Sequence, residues 1–225
     1  DEHDAGRTPN PCVECNRQIR FGYLLDRALA LDADFLATGH YARVVQEDGA
    51  YLLKQGKDSH KDQSYVLHTF RQSQLAHVLF PVGEYTNDEV RHLARDHGLP
   101  VASKQESQDL CFLNDGNYRR FIHDHSTQDH PTGPILDLNE RELGRHEGLP
   151  FYTIGQRKGL GIAAAEPLFV LGKDTARNAL IVGPREALGA GELVARDVNW
   201  ISGRPPAGPT RAEVKIRYKA TPIQS

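Results

Sequence analysis

At 225 residues, with 39% apolar and 25% charged side chains, the chain is long enough for one large domain or two smaller ones and has an ordinary globular composition. No apolar run approaches the roughly 20 residues that a membrane-spanning helix needs, and three cysteines are too few for a disulfide framework, which favours a reducing compartment. The net charge of -3 supplies no general attraction for nucleic acid, so any such binding depends on local basic patches. The chain has no methionine, opens on Asp1-Glu2-His3-Asp4 and closes on Ile223-Gln224-Ser225, and it reads as an internal piece of a longer protein.

The first organised stretch is Thr8-Pro9-Asn10-Pro11-Cys12-Val13-Glu14-Cys15-Asn16, which holds two of the three cysteines. Phe21, Leu24, Leu25, Ala28 and Leu29 follow at the spacing of one buried helix face. A thiol just ahead of that face feels the positive end of the helix dipole, which favours thiolate. Next, Asp34 to Tyr41 reads as a short buried strand ending in a glycine turn. A helix followed by a buried strand is the grammar of an α/β sheet, whose ligands gather at the carboxyl ends of strands. Thr38, Gly39 and His40 stand at such an end; the glycine permits close backbone approach, which sets a ligand contact beside the ordinary reading of a surface histidine.

Tyr51 to Lys54 reads as a strand, Asp58 to Gln63 as a polar loop, and Ser64 onward as a helix reaching about Leu79. From composition alone Lys61, Asp62 and Gln63 are exposed loop residues. Thr86-Asn87-Asp88-Glu89 is a capping box that starts a helix closed by Gly98 and Pro100. Val101 to Lys104 suggests a short strand, and Cys111 lies in an apolar run where a small core residue is the ordinary reading. Tyr118, Phe121, Ile122 and His125 outline one more helix.

From Ser126 the texture changes to short strands with glycine turns, at Gly133 to Leu138, Leu168 to Lys173 and Ala179 to Gly183. Between them, Gly155-Gln156-Arg157-Lys158-Gly159-Leu160-Gly161 offers backbone amides and two cations to a phosphate, or forms a plain basic turn. A second boundary falls near Ala190-Gly191, followed by a strand through Val194, Val198 and Trp200. In the last segment Ala212, Val214, Ile216 and Tyr218 alternate with a mostly cationic face carrying Arg211, Lys215, Arg217 and Lys219.

The residues leave the C-x-x-C of Cys12 and Cys15 open to three readings. It is half of a zinc site, a thiol–disulfide oxidoreductase motif, or the source of one partner for Cys111 in a persulfide and disulfide cycle. A non-catalytic tRNA- or zinc-binding module is the matching alternative to an enzyme.

Seven stretches together resemble one family, the ATP-dependent tRNA-uridine 2-sulfurtransferases (tRNA 2-thiouridylases). They are GRTPNPCVECN (6–16), FLATGHYAR (35–43), KDQSYVL (61–67), LFPVGEYTNDEVR (79–91), SQDLCFL (107–113), GQRKGLG (155–161) and VKIRYKATP (214–222). The resemblance implies an α/β fold in which 1–125 is the second half of a PP-loop Rossmann-type nucleotide-binding domain. Residues 126–190 form a small, mostly β central domain, and 191–225 start a C-terminal β-barrel. It implies that ATP with magnesium adenylates the C2 oxygen of the wobble uridine, and that sulfur arrives as a cysteine persulfide. By motif position Cys111 carries the persulfide and Cys15 is the other catalytic cysteine.

The same resemblance makes Gly39 an ATP contact, and Asn10, Pro11, Cys12, His40, Lys61, Asp62, Gln63, Arg217 and Tyr218 tRNA contacts. Some members carry aspartate at the place of Cys12, which implies that this thiol is dispensable. The implied partners are tRNA and a persulfide donor such as a cysteine desulfurase or sulfur-relay protein, with no membrane, in the cytoplasm or an organelle. The family's Ser-Gly-Gly-x-Asp-Ser loop is not in the sequence, so ATP binding and activity are expected of the longer parent rather than of this stretch alone.

Overall fold

The computed structural model describes residues 2, 6–103, 111, 113, 118–126, 129–216, 220 and 222–224. They fall into two compact units: Asp1–Asn10 with Ser107–Ala195, and Pro11–Glu106 with Arg196–Ser225.

In the unit built on Pro11–Glu106, a helical run covers residues 11–29. It opens with α1 (Pro11–Glu14), widens into a π-helix (Cys15–Leu24) and closes as α2 (Leu25–Leu29). Proline at the first position gives up only an amide that a helix start leaves unpaired. The buried positions are Asn16, Phe21 and Leu25, spaced five and then four apart, as an i→i+5 ladder requires. Leu24, expected on the buried face, is 45% exposed for that reason.

The expected buried strand shrinks to β1 (Leu36–Ala37), which pairs in parallel with β4 (Val78–Leu79). Phe35 is 53% exposed beside it, so this strand is not the buried element its sequence suggested. Between them β2 (Ala42–Glu47) and β3 (Ala50–Gln55) form a hairpin turning at Asp48 and Gly49, both with positive φ. The reading of one helix from Ser64 to about Leu79 is corrected to a 3-10 turn (Ser64–Val66), α3 (Gln72–Leu75) and β4. Leu67 and Phe70, between the short pieces, plug the core rather than line a helix face.

The capping box forms as expected at α4 (Asn87–Asp96): Thr86 Oγ1 accepts from the Glu89 amide, and Glu89 accepts from the Thr86 amide. Gly98 ends that helix at φ +65. The expected strand at 101–104 is instead a 3-10 turn, Pro100–Ser103. The core gathers Phe21, Phe70 and Phe80, with the first two ring centroids 4.5 Å apart, around Leu25, Leu67, Leu75 and Val78. Each such aliphatic side chain contributes roughly 1.5–3 kcal/mol by leaving water. Gly83 lies so close to the backbone that an added Cβ would stand 1.7 Å from the Ala42 oxygen.

Residues 196–225 return to this unit. Ile201 packs on its core, Asn199 donates to the His68 and Phe70 carbonyls, and Gln72 donates to the Ile201 carbonyl. No strand forms at 194–200, and among the described residues the alternating end pairs at Glu213–Val214 with Ile223–Gln224.

In the other unit, α5 (Tyr118–His125) precedes a four-stranded sheet. Its strands are β5 (Gly133–Leu136), β6 (Glu142–His146), β7 (Phe169–Asp174) and β8 (Ala179–Gly183), in the order β6-β5-β8-β7. β5 and β8 run parallel and the outer pairs antiparallel. Ile135, Leu149, Tyr152, Leu160, Val170, Leu180 and Val182 form its core. His146 is fully buried, its Nε2–H donating to the Asn178 carbonyl while Nδ1 accepts from the Gly148 amide. The N-terminal segment belongs to this unit, with Gly6 against Thr175 and Thr8 hydrogen-bonded to Thr153.

Candidate functional site

Within the helical unit the residues singled out from the sequence gather around the first helix and the end of β1. Cys12 packs with Val13 against the core, and half-buried Cys15 begins the π-helix. The next residue, Asn16, is 3% exposed and donates to the Val66 carbonyl, at 3.2 Å, so it fastens the cysteine-bearing turn to the 61–67 segment. None of the three cysteines is in a disulfide.

At the end of β1, the Thr38 amide donates to the Leu79 carbonyl, and Gly39 follows with nothing within 4 Å of where a Cβ would stand. This stretch of backbone is therefore bare to a ligand. His40 is different: it is 5% exposed and wedged between Phe21 and Phe80, each ring centroid 5.8 Å away. Its Nε2 lies 3.3 Å from Arg20 Nη1 and its Nδ1 2.8 Å from Thr38 Oγ1. A guanidinium can only donate, so Nε2 accepts and the ring proton sits on Nδ1, facing Thr38. Burial, and then the Arg20 charge, push the imidazole down to about 4, so it stays neutral at physiological pH. Both ring nitrogens are occupied by this pair of contacts.

The 58–64 loop is held from within. Asp62, 5% exposed, accepts from the Gly56 amide and from both the amide and hydroxyl of Ser64. Gln63 clasps Tyr41, its amide donating to the Tyr41 carbonyl and its Oε1 accepting from the Tyr41 amide. Asp62 and Gln63 thereby shape the loop from which half-buried Lys61 projects. Arg20 and Asn16 escaped the sequence reading. They join the site only when positions five apart are counted along this helix, because the usual helical period puts Asn16 off the face of Phe21.

In the sheet unit, Asn10 is exposed, and Cys111 is exposed in a turn. Composition alone favours a core position for Cys111; the residue is instead exposed. Arg217 and Tyr218 lie outside the described residues. Among the described residues no group of three or more His, Cys, Asp or Glu side chains is placed to hold a metal ion. No described helix is long and apolar enough to cross a membrane.

Residues 1–115 match the family described as tRNA methyl transferase HUP domain, and residues 119–184 the one described as tRNA methyl transferase PRC-barrel domain. The chain is 52% identical over 219 residues to the tRNA-specific 2-thiouridylase MnmA of Chloroflexus aggregans, covering 97% of this chain and 61% of that relative. It is 54% identical over 217 residues to the enzyme of the same name from Moorella thermoacetica, covering 96% and 61%. A third relative of that name, from Geotalea uraniireducens, is 51% identical over 224 residues, covering 99% and 60%. The chain thus spans about three fifths of the length of the curated relatives it matches.

Proposed function

Since the chain belongs to the MnmA family of tRNA-specific 2-thiouridylases, with a HUP domain followed by a PRC-barrel domain, we propose that the intact protein replaces the C2 oxygen of the tRNA wobble uridine with sulfur. The observation that carries this reading is the identity of about half of all positions to proteins of that name along nearly the whole chain. The family descriptions speak of methyl transfer, whereas a persulfide route uses what this sequence supplies: half-buried Cys15 inside the first helical run and a second, exposed cysteine, Cys111. ATP with magnesium supplies the activation, because an amide-like carbonyl oxygen leaves only after it has been adenylated. The bare Gly39 backbone at the end of β1 fits a nucleotide contact there.

In this reading Cys111 accepts a terminal sulfur from a cysteine desulfurase or sulfur-relay protein. The Cys15 thiolate then attacks Cys111 Sγ: a Cys15–Cys111 bond forms, the persulfide bond breaks, and sulfide departs with its electron pair. Sulfide adds at the activated C2, and AMP leaves with the oxygen. The disulfide must be reduced by two electrons from an external thiol before the next cycle. Asn10, Pro11 and Cys12 are assigned to the target base, and Lys61 with Arg217 and Tyr218 to the tRNA. His40, Asp62 and Gln63 act on the tRNA through the segments they shape. The domain divisions at 125 and 190 and a cytoplasmic setting are parts of the same proposal.

Expression of the intact gene product in cells that lack their own thiolase, with nucleosides from their tRNA analysed by mass spectrometry, tests the idea. Cys15→Ser and Cys111→Ser are each expected to abolish 2-thiouridine, while Cys12→Ser keeps much of it. Undiminished thiolation with Cys111→Ser would remove the persulfide role.

A further inference from the structure

We propose that the turn at 155–161 in the sheet unit is a phosphate grip for the backbone of the RNA substrate; the inference rests on the tRNA reading above and adds a site to it. The turn is rigid. The Gly155 amide donates to the Val170 carbonyl at 2.7 Å, and the Val170 amide donates back to the Gln156 carbonyl at 2.9 Å, so the turn is stitched to β7. The Gln156 side chain bridges the loop from inside, accepting from the Thr153 amide and donating to the Lys158 carbonyl. Leu160, 5% exposed, pins the far end into the core.

What this scaffold presents is a row of donors. Among the described residues the amides of Arg157, Lys158, Gly159, Leu160 and Gly161 donate to nothing. Gly155, Gly159 and Gly161 have φ of +79, +76 and +69, the left-handed turns that let successive amides converge on an anion. The glycines at 159 and 161 are not there to relieve crowding. A Cβ at Gly161 would meet nothing within 4 Å, and one at Gly159 only Gln156 Nε2 at 3.8 Å. Their conformation is what the turn needs.

Arg157, Gly159, Gly161 and Glu166 line a cleft of about 370 Å³ at this turn, and the exposed Lys158 stands beside Arg157 in sequence. The side chains of Arg157 and Lys158 have no hydrogen-bonding or ionic partner among the described residues, and in a chain of net charge -3 such a pair is a local cationic spot. Glu166 sets the class of ligand. A free phosphate dianion meets a repulsive carboxylate across the cleft, whereas a phosphodiester carries a single charge and is delivered by the rest of a polyanion.

Binding of a labelled tRNA transcript to the intact protein, followed by anisotropy across a salt series, tests the site. Arg157→Ala/Lys158→Ala is expected to weaken binding about tenfold at low salt and to flatten the plot of log affinity against log salt by about 1–2. Both side chains are exposed, so the variant's thermal melt should match the wild type. A Gly159→Ala variant, which removes no charge, is expected to weaken binding through the lost amide geometry. Unchanged affinity and slope in the double variant overturn the site while leaving the tRNA reading intact. No tRNA binding by the wild-type intact protein at any salt removes the tRNA reading, and this site with it. Inorganic phosphate added without RNA is the second arm. If it shifts the amide resonances of 157–161 while the double variant binds tRNA normally, the turn holds free phosphate and the proposal fails.

Discussion

His40 concentrates the energetics of the helical unit in one ring. Above about pH 6.5 the imidazole is neutral whether the chain is folded or not. Below that, the unfolded chain takes up a proton that the buried ring refuses until about 4. Stability is therefore lost as the pH falls through this window, by about 3 kcal/mol over its full span. His146, also pushed down chiefly by burial, acts in the same direction. Glu89, held at about 2 first by the Thr86 amide and then by Lys57, adds a further loss as the pH falls below its ordinary range. Urea unfolding of wild type and His40→Gln at about pH 7 and about pH 4.5 separates these groups. The variant is expected to be less stable at the higher pH but to show a shallower decline between the two. Equal declines would assign the acid sensitivity to His146 and the carboxylates.

Among the elements, the π-helix decides where the site residues point, and Gly22 marks how tightly it is wound. A Cβ at Gly22 would stand 2.8 Å from the Arg17 carbonyl five residues back. Glycine to alanine inside an ordinary helix stabilises by roughly 1 kcal/mol. Here Gly22→Ala is expected to destabilise by about that amount, read as a lowered denaturant midpoint, because the methyl group collides with the carbonyl of the wide turn. Stabilisation would mean that the segment relaxes to an α-helix at no cost.

The same element shows what the sequence could tell. Phe21 and Leu25 were legible as core because they lie four apart under either winding; Leu24 and Asn16 were not, since their fates depend on which ladder forms. The β2–β3 hairpin carries a readable signal, Asp48-Gly49 between Val44-Val45 and Leu52-Leu53, although composition marks its second strand more plainly than its first. The stretch 64–79 was misread because its apolar residues are spaced to plug a core from short turns, a pattern that mimics helix periodicity. Gly39 stands out in the sequence as the glycine that ends a strand, and the structure leaves open space where its Cβ would be. Arg20 does not stand out, because its partner is chosen by tertiary packing.

At the scale of the whole chain, each compact unit is assembled from two separate stretches. Removal of residues 196–225 strips Ile201 and the Asn199 bonds from the helical unit. It is expected to raise amide exchange across 64–75 and to leave 133–183 protected. Loss of protection in both regions alike would mean that the two units unfold as one. The seven motif stretches are shared between the units: 35–43, 61–67, 79–91 and 214–222 lie in one, 107–113 and 155–161 in the other, and 6–16 crosses between them. The backbone changes allegiance three times, after Asn10, Glu106 and Ala195. No single scissile bond can release either body whole, and grafting one onto another scaffold would take two strands of chain sewn together with a new linker.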